Sequence, residues 1–250
     1  MDTELVPAAG DVGLLEARAE FAAAFRAASL HGFTEGIDNH FSLMVPGAED
    51  RFWLNPFGPD WSELRASELL TVTRDGDLVE GDGAWERSAF VIHRAVHLAR
   101  PRARCVFHTH MPYATAVSMT ETGLDTRASQ NAMLFHGRIA RVPFGGIAHD
   151  ADQGSDIAAA VGADTAVVFL DNHGVLVIGA SVADAWHMLY FLERACRMQV
   201  LARSTGDPLV RVPAAVAQQT ADRWASSAHA EALFAAVRRE LDRRLPGYDG

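Results

Sequence analysis

Apolar residues recur at helical spacing over residues 14–30, LLEARAEFAAAFRAASL, which predicts an Ala- and Leu-rich amphipathic helix stopped at Gly32. The pattern then changes. FTEGIDNHFSLMVPG reads as a polar turn feeding a short alternating strand, and RFWL (51–54) as a strand closed by the turn Asn55-Pro56-Phe57-Gly58. LLTVT (69–73), the turn Arg74-Asp75-Gly76-Asp77 and LVEG form a hairpin-like pattern. A helix is predicted from about Ser88 to Arg100, stopped by Pro101, then a strand RCVFH, then a small helix opened by Pro112. In the second half RIARVPF reads as a strand and residues 153–161 as a helix beginning near Ser155. AVVFL and GVLVIG are strands flanking Asp171-Asn172-His173-Gly174. Ser181 caps a long helix that Gly206-Asp207-Pro208 breaks, and residues 214–244 are helical again. These elements predict one domain over 1–250, with helices packed on a mixed or antiparallel sheet. Residues 1–13 read as an N-terminal extension and 206–250 as a C-terminal helical tail.

Composition narrows the function. Of 250 residues, 49% are hydrophobic and 22% charged, so the chain can bury a full core without disulfide or metal staples. The net charge of −10 repels phosphate backbones and argues against nucleic acid as a partner. No apolar run approaches the ~20 residues of a membrane span. All 22 basic residues are Arg. The lack of lysine excludes Schiff-base aldolases, pyridoxal-phosphate enzymes and the Walker A loop. Cys105 and Cys196 form no C-x-x-C pair, which points to a reducing cytoplasm, and the acidic start MDTELVPAAGD reads without a signal-peptide pattern.

The histidines carry the chemistry. In His108-Thr109-His110, after the apolar RCVF, residues i and i+2 of an extended chain face one side. The pair is either a bidentate metal clamp or two partly exposed strand histidines; spacing leaves both open. His173, in a turn between two apolar strands, adds a third imidazole that could complete a three-histidine set with an open position for substrate or water. His93 and His97 lie one helical turn apart, but Arg94 stands where a metalloprotease helix needs Glu. One of them is expected to face the site and the other to pack or cap. His40, in Asp38-Asn39-His40, reads as a loop residue within reach of a substrate. His31, His136, His149, His187 and His229 have no partner pattern, and Asp150 and Asp152 beside His149 read as a solvated turn.

GIDNHFSLMVP (36–46), LNPFG with WSE (54–63), FVIHRAVHLARPRARCVFHTH (90–110), LDNHGVLVIG and SVADAWHMLYFLERACRMQV together resemble the class II aldolase/adducin family. The resemblance runs from about residue 14 to 205; in the tail, LDRRLPGY resembles the end of the bacterial adducin-like branch. It implies an α/β fold of three layers, α/β/α, around a central mainly antiparallel sheet. It also implies a divalent metal on His108, His110 and His173, zinc first, with iron, manganese or cobalt as alternatives. A small-molecule substrate and a homotetramer with interfacial active sites belong to the same expectation. The sugar-phosphate aldolases of the family carry a catalytic Glu nineteen residues before the first metal histidine; here that position is Ala89. Their proton-donating tyrosine has no match near residues 127–131, and Phe41, Phe57 and His40 make the phosphate loops bulkier.

These departures lead to a metal-dependent lyase acting on a non-phosphorylated hydroxy- or oxo-acid, by decarboxylation or retro-aldol cleavage through an enolate or enediolate. Decarboxylation needs no base and fits Ala89. His93, His40 and Arg87 are the catalytic candidates, His93 as proton shuttle and Arg87 as partner of a substrate carboxylate; Asn39, Asn55, Phe57 and Ala89 are the substrate-binding ones. Two alternatives differ in class. One is a non-haem iron oxygenase of the aminocoumarin-pathway type acting on an aromatic oxo-acid, with Phe41 and Phe57 receiving the ring. The other is a non-catalytic scaffold like the adducin head.

Overall fold

A computed structural model describes residues 9–100, 102–146, 151–224 and 226–250. The expectations placed on Pro101, His149, Asp150, the side chain of Asp152 and the first eight residues lie outside these.

Eight strands form one sheet: β1 (His40–Met44), β2 (Arg51–Leu54), β3 (Leu70–Thr73), β4 (Leu78–Glu80), β5 (Cys105–Thr109), β6 (Ile139–Val142), β7 (Val167–Leu170) and β8 (Gly174–Gly179). Their order is β4-β3-β2-β1-β5-β8-β7-β6, and every neighbouring pair is antiparallel except β6 with β7. The exception follows from connectivity: helix α5 (Ala151–Ala160) lies between β6 and β7 and returns the chain in the same direction. The remaining helices are α1 (Ala9–Leu30), α2 (Arg87–Ala99), α3 (Pro112–Ser118), α4 (Gln130–Met133), α6 (Val182–Arg203), α7 (Ala214–Trp224) and α8 (Ser227–Arg244).

Alternate residues of the central strands build two cores. Phe41 and Leu43 of β1, Phe107 of β5 and Val175 and Val177 of β8 pack with α1, α3, α6 and α8. Val106, Leu176, Ile178, Val168 and Leu170 pack instead with Ile92 and Val96 of α2 and Ile157 of α5. Helices on both faces explain why β1, β5, β7 and β8 are buried at every position rather than alternating with solvent. The exposed edge strand β4 marks where that cover ends.

Local signals account for the helix ends. Glu86 accepts from the Ala89 backbone N–H at 2.7 Å and caps α2, Ser181 caps α6, and Gly32 leaves α1 at φ 70°. Three boundaries depart from the expectation. Helix α1 starts at Ala9, five residues before the strongest apolar periodicity. Residues 214–244 are two helices, because the chain passes through extended backbone at Ser226 before α8. His40 opens β1 instead of lying in a loop, paired with His108 across the sheet.

Candidate metal centre

Antiparallel pairing brings three strand ends together. The start of β1, the end of β5 and the start of β8 meet at one end of the sheet, with His40 opposite His108 and Thr109 opposite Val175. His110 follows β5 directly and His173 directly precedes β8. The turn carrying His173 is braced by Arg141, which reaches Asp171 at 2.6 Å and donates to the carbonyls of Thr120 and Glu121. Asn172 adopts φ 59° there, a left-handed conformation that Asn tolerates better than most residues.

His108, His110 and His173 converge. Each offers a nitrogen within 4.8 Å of the others'. The His108 Nδ1–H donates to the Val175 carbonyl at 3.1 Å, and the His110 Nδ1–H donates to Glu35 at 2.6 Å. A neutral imidazole has one proton, so both Nε2 atoms carry lone pairs, and they face each other at 2.9 Å. Two lone pairs in that position repel unless a cation lies between them. The buried Nδ1 of His173 has no hydrogen-bond partner. Burial and the neighbouring histidines keep His108 well below the ordinary histidine range, and burial, then His110, push His173 down to about 4. Three converging imidazole nitrogens are a donor set that fits a divalent cation.

Further imidazoles line the inner side. His40 stacks on His108 with ring centroids 4.6 Å apart. Its Nδ1 lies 2.7 Å from Nε2 of His93, and Nδ1 of His93 lies 2.5 Å from the Ser42 hydroxyl. His97 is set back, bound to Ser42 and to the Ala103 carbonyl. Burial, first of all, holds the pKa of His40 and His93 well below the ordinary histidine range and lowers that of His97 to about 4. Of the two α2 histidines, His93 thus faces the site and His97 packs behind it.

A small pocket beside His40 is lined by Asn39, Asn55, Phe57, Trp85, Glu86 and Ala89, together with Ile37 and Leu54. Asn39 is 2% exposed; its Oδ1 accepts from the Glu35 N–H, while its Nδ2 has no partner. The Asn55 amide is occupied by backbone groups at Phe41 and Pro56, so it shapes the wall and has less to offer a ligand.

Two candidates sit elsewhere. Phe41 is fully buried on the opposite face of the sheet, stacked on Phe107 and packed against Phe25 and Trp61, because odd and even residues of β1 face opposite layers. Arg87 is exposed at the start of α2 and lines a separate cleft with Asp75, Trp85 and Phe90, so it is not gathered around the imidazoles. The sequence reading also missed two contributors. Glu35 sits in a Gly-containing turn that no spacing rule singles out. Ser42 lies two residues after His40, where the alternation used for His108 and His110 would have found it.

The other described histidines lie away from this cluster. His31 packs with Phe33, Trp186 and Tyr190, His136 bonds to Thr126, and His187 lies against His229 and Phe191. Both cysteines are buried and unpaired. No helix among the described residues is long and apolar enough to cross a membrane.

Known proteins resemble this chain. The family of the class II aldolase and adducin N-terminal domain matches residues 19–200. The crystal structure of an aldolase II superfamily protein from Pseudomonas syringae is 35% identical, covering 98% of this chain and 100% of its own, with a TM-score of 0.90. Alpha-adducin of Rattus norvegicus is 33% identical over 76% of this chain, which is 26% of the adducin. An L-fuculose 1-phosphate aldolase from Glaciozyma antarctica shares the fold at TM-score 0.82 and 24% identity, covering 97% of this chain and 96% of its own.

Proposed function

Because the chain belongs to the class II aldolase and adducin family, whose membership implies metal-dependent, lyase-like chemistry, we propose that it cleaves a carbon–carbon bond in a non-phosphorylated hydroxy- or oxo-acid. The observation that carries this reading is the 2.9 Å approach of the His108 and His110 Nε2 atoms, each ring held by an acceptor at its Nδ1, with His173 beside them. These three residues would hold the metal, zinc first. A divalent cation bound there would draw electron density from a substrate carbonyl and offset the negative charge that develops as the bond breaks.

The chain's own groups supply the rest. Asn39 Nδ2 is buried with a free donor and would hold a substrate oxygen. The described lining of the small pocket contains no arginine, which favours an unphosphorylated substrate. Ala89 itself brings no carboxylate, the Glu86 carboxylate of that wall caps α2 through the Ala89 N–H, and His40 is the nitrogen base of the same wall. In retro-aldol cleavage the substrate hydroxyl proton passes to Nε2 of His40, and the oxygen becomes that of an aldehyde. The electron pair of the broken bond stays with the carbon beside the carbonyl, which later takes a proton. In decarboxylation no such base is needed, and His40 with His93 behind it would return the proton to carbon. Half-exposed Phe57 and Phe144, the latter 6.0 Å from the His173 ring, leave room at the mouth for a neighbouring subunit, as in a homotetramer.

The test is turnover by the zinc- or manganese-loaded protein on panels of oxo- and hydroxy-acids. This reading expects release of carbon dioxide or an aldehyde that a chelator abolishes. No product across the panels contradicts it, and oxygen-dependent turnover by the iron-loaded protein would point to an oxygenase instead.

A further inference from the structure

His97, Ser42, His93 and His40 form a line of hydrogen bonds that ends on a backbone carbonyl, and that end dictates its direction. A carbonyl only accepts, so His97 donates its Nδ1–H to Ala103 at 2.5 Å. Burial keeps His97 neutral, its pKa pushed down to about 4, so its Nε2 carries a lone pair. The Ser42 hydroxyl, 2.7 Å away, gives its single proton to that nitrogen. The Ser42 oxygen can then only accept, and it lies 2.5 Å from Nδ1 of His93, which must carry the His93 proton. Nε2 of His93 is therefore bare and receives the Nδ1–H of His40 at 2.7 Å. The line leaves His40 with an unprotonated Nε2.

We infer that Ser42 and His97 are positioning residues that set the tautomers of His93 and His40, and that the site thereby selects a substrate whose hydroxyl donates its O–H to Nε2 of His40. The substrate half of this inference rests on the metal-dependent lyase reading. The opposite tautomer would present an N–H and would favour a ketone or ether oxygen at the same point. Asn39, whose buried Nδ2 donor has no partner, lines the same small pocket as His40. An acceptor and a donor lining one pocket match a hydroxyl near a carboxylate or carbonyl, which is the substitution pattern of a hydroxy-acid.

The experiment combines two readouts on the zinc-loaded full chain. Nitrogen-15 spectra of the histidine rings, recorded without substrate, report the tautomers. Calorimetry compares glycolate with methoxyacetate, which keeps the carboxylate and the oxygen beside it but has no O–H to donate. Wild type is expected to show Nδ1–H signals for His93 and His40 and to prefer glycolate by about fivefold, as for one hydrogen bond. Ser42→Ala and His97→Leu should introduce an Nε2–H signal at His93 and lower the preference. His97→Gln, whose Oε1 can accept from Ser42, should retain both wild-type results. The extra methyl of methoxyacetate is common to all variants, so the change in preference isolates the hydrogen bond. An Nε2–H tautomer at His93 or His40 in wild type, a ring spectrum unchanged in Ser42→Ala, or equal preference in wild type and Ser42→Ala overturns the inference. Failure of the turnover panels alone overturns the lyase reading and leaves the tautomer assignments standing.

Discussion

Each metal-facing imidazole with a bonded far side is steered by an acceptor there: the Val175 carbonyl holds His108 and the Glu35 carboxylate holds His110. Such partners fix ring orientation and raise ligand basicity. Glu35→Gln is therefore expected to weaken zinc binding about tenfold or more, measured by chelator competition, without loss of fold, since Glu35 is exposed. His110→Ala should lose zinc yet keep its far-ultraviolet dichroism, because two imidazoles hold zinc poorly while the core lies elsewhere. His93→Ala should keep zinc stoichiometry and lose turnover by roughly a hundredfold or more. Loss of metal in that variant would make His93 a ligand. At this scale, strand alternation made the pairing of His108 with His110 readable. Glu35 was not readable, because a turn carboxylate becomes a partner of His110 only once two segments 75 residues apart are folded together.

At the scale of elements, the site depends on how closely β8 and β5 approach. A methyl group on Gly174 would lie 2.6 Å from the Thr109 carbonyl and 2.8 Å from the His110 ring. Gly174→Ala is thus expected to lower the melting temperature and weaken zinc binding together, by pushing the end of β5 aside. Gly13→Ala in α1 meets nothing within 4 Å and should stabilise the helix by up to about 1 kcal/mol, with zinc binding unchanged. If both variants melt alike, close packing at Gly174 is not what positions His110. Most elements were readable, because caps and turn residues mark their ends. The burial of Phe41 was not. Its neighbours Phe25, Trp61 and Phe107 come from other segments, and only the sheet register decides which side of β1 faces them.

For the whole molecule, the buried histidines set the response to acid. His97, His173 and His187 have pKa values lowered to about 4, first of all by burial, and burial also holds His40, His93 and His108 well below the ordinary histidine range. The unfolded chain takes up protons as pH falls through the ordinary histidine value of 6.5, whereas the folded chain resists until about pH 4. Stability is therefore fully present above 6.5 and lost between there and about 4. The urea midpoint of the metal-free protein should fall across that window; a flat midpoint would mean that these imidazoles are hydrated. The three-layer architecture itself was readable from the resemblance, since the order of helices and strands is that of the family.

The central claim is that His108, His110 and His173 jointly bind one divalent cation. X-ray absorption at the zinc edge of the loaded protein tests it most directly. The account predicts one zinc per chain with three imidazole nitrogens at about 2.0–2.1 Å, and loss of that zinc in His173→Ala. A zinc shell with no imidazole scattering, or one unchanged by that substitution, would contradict it.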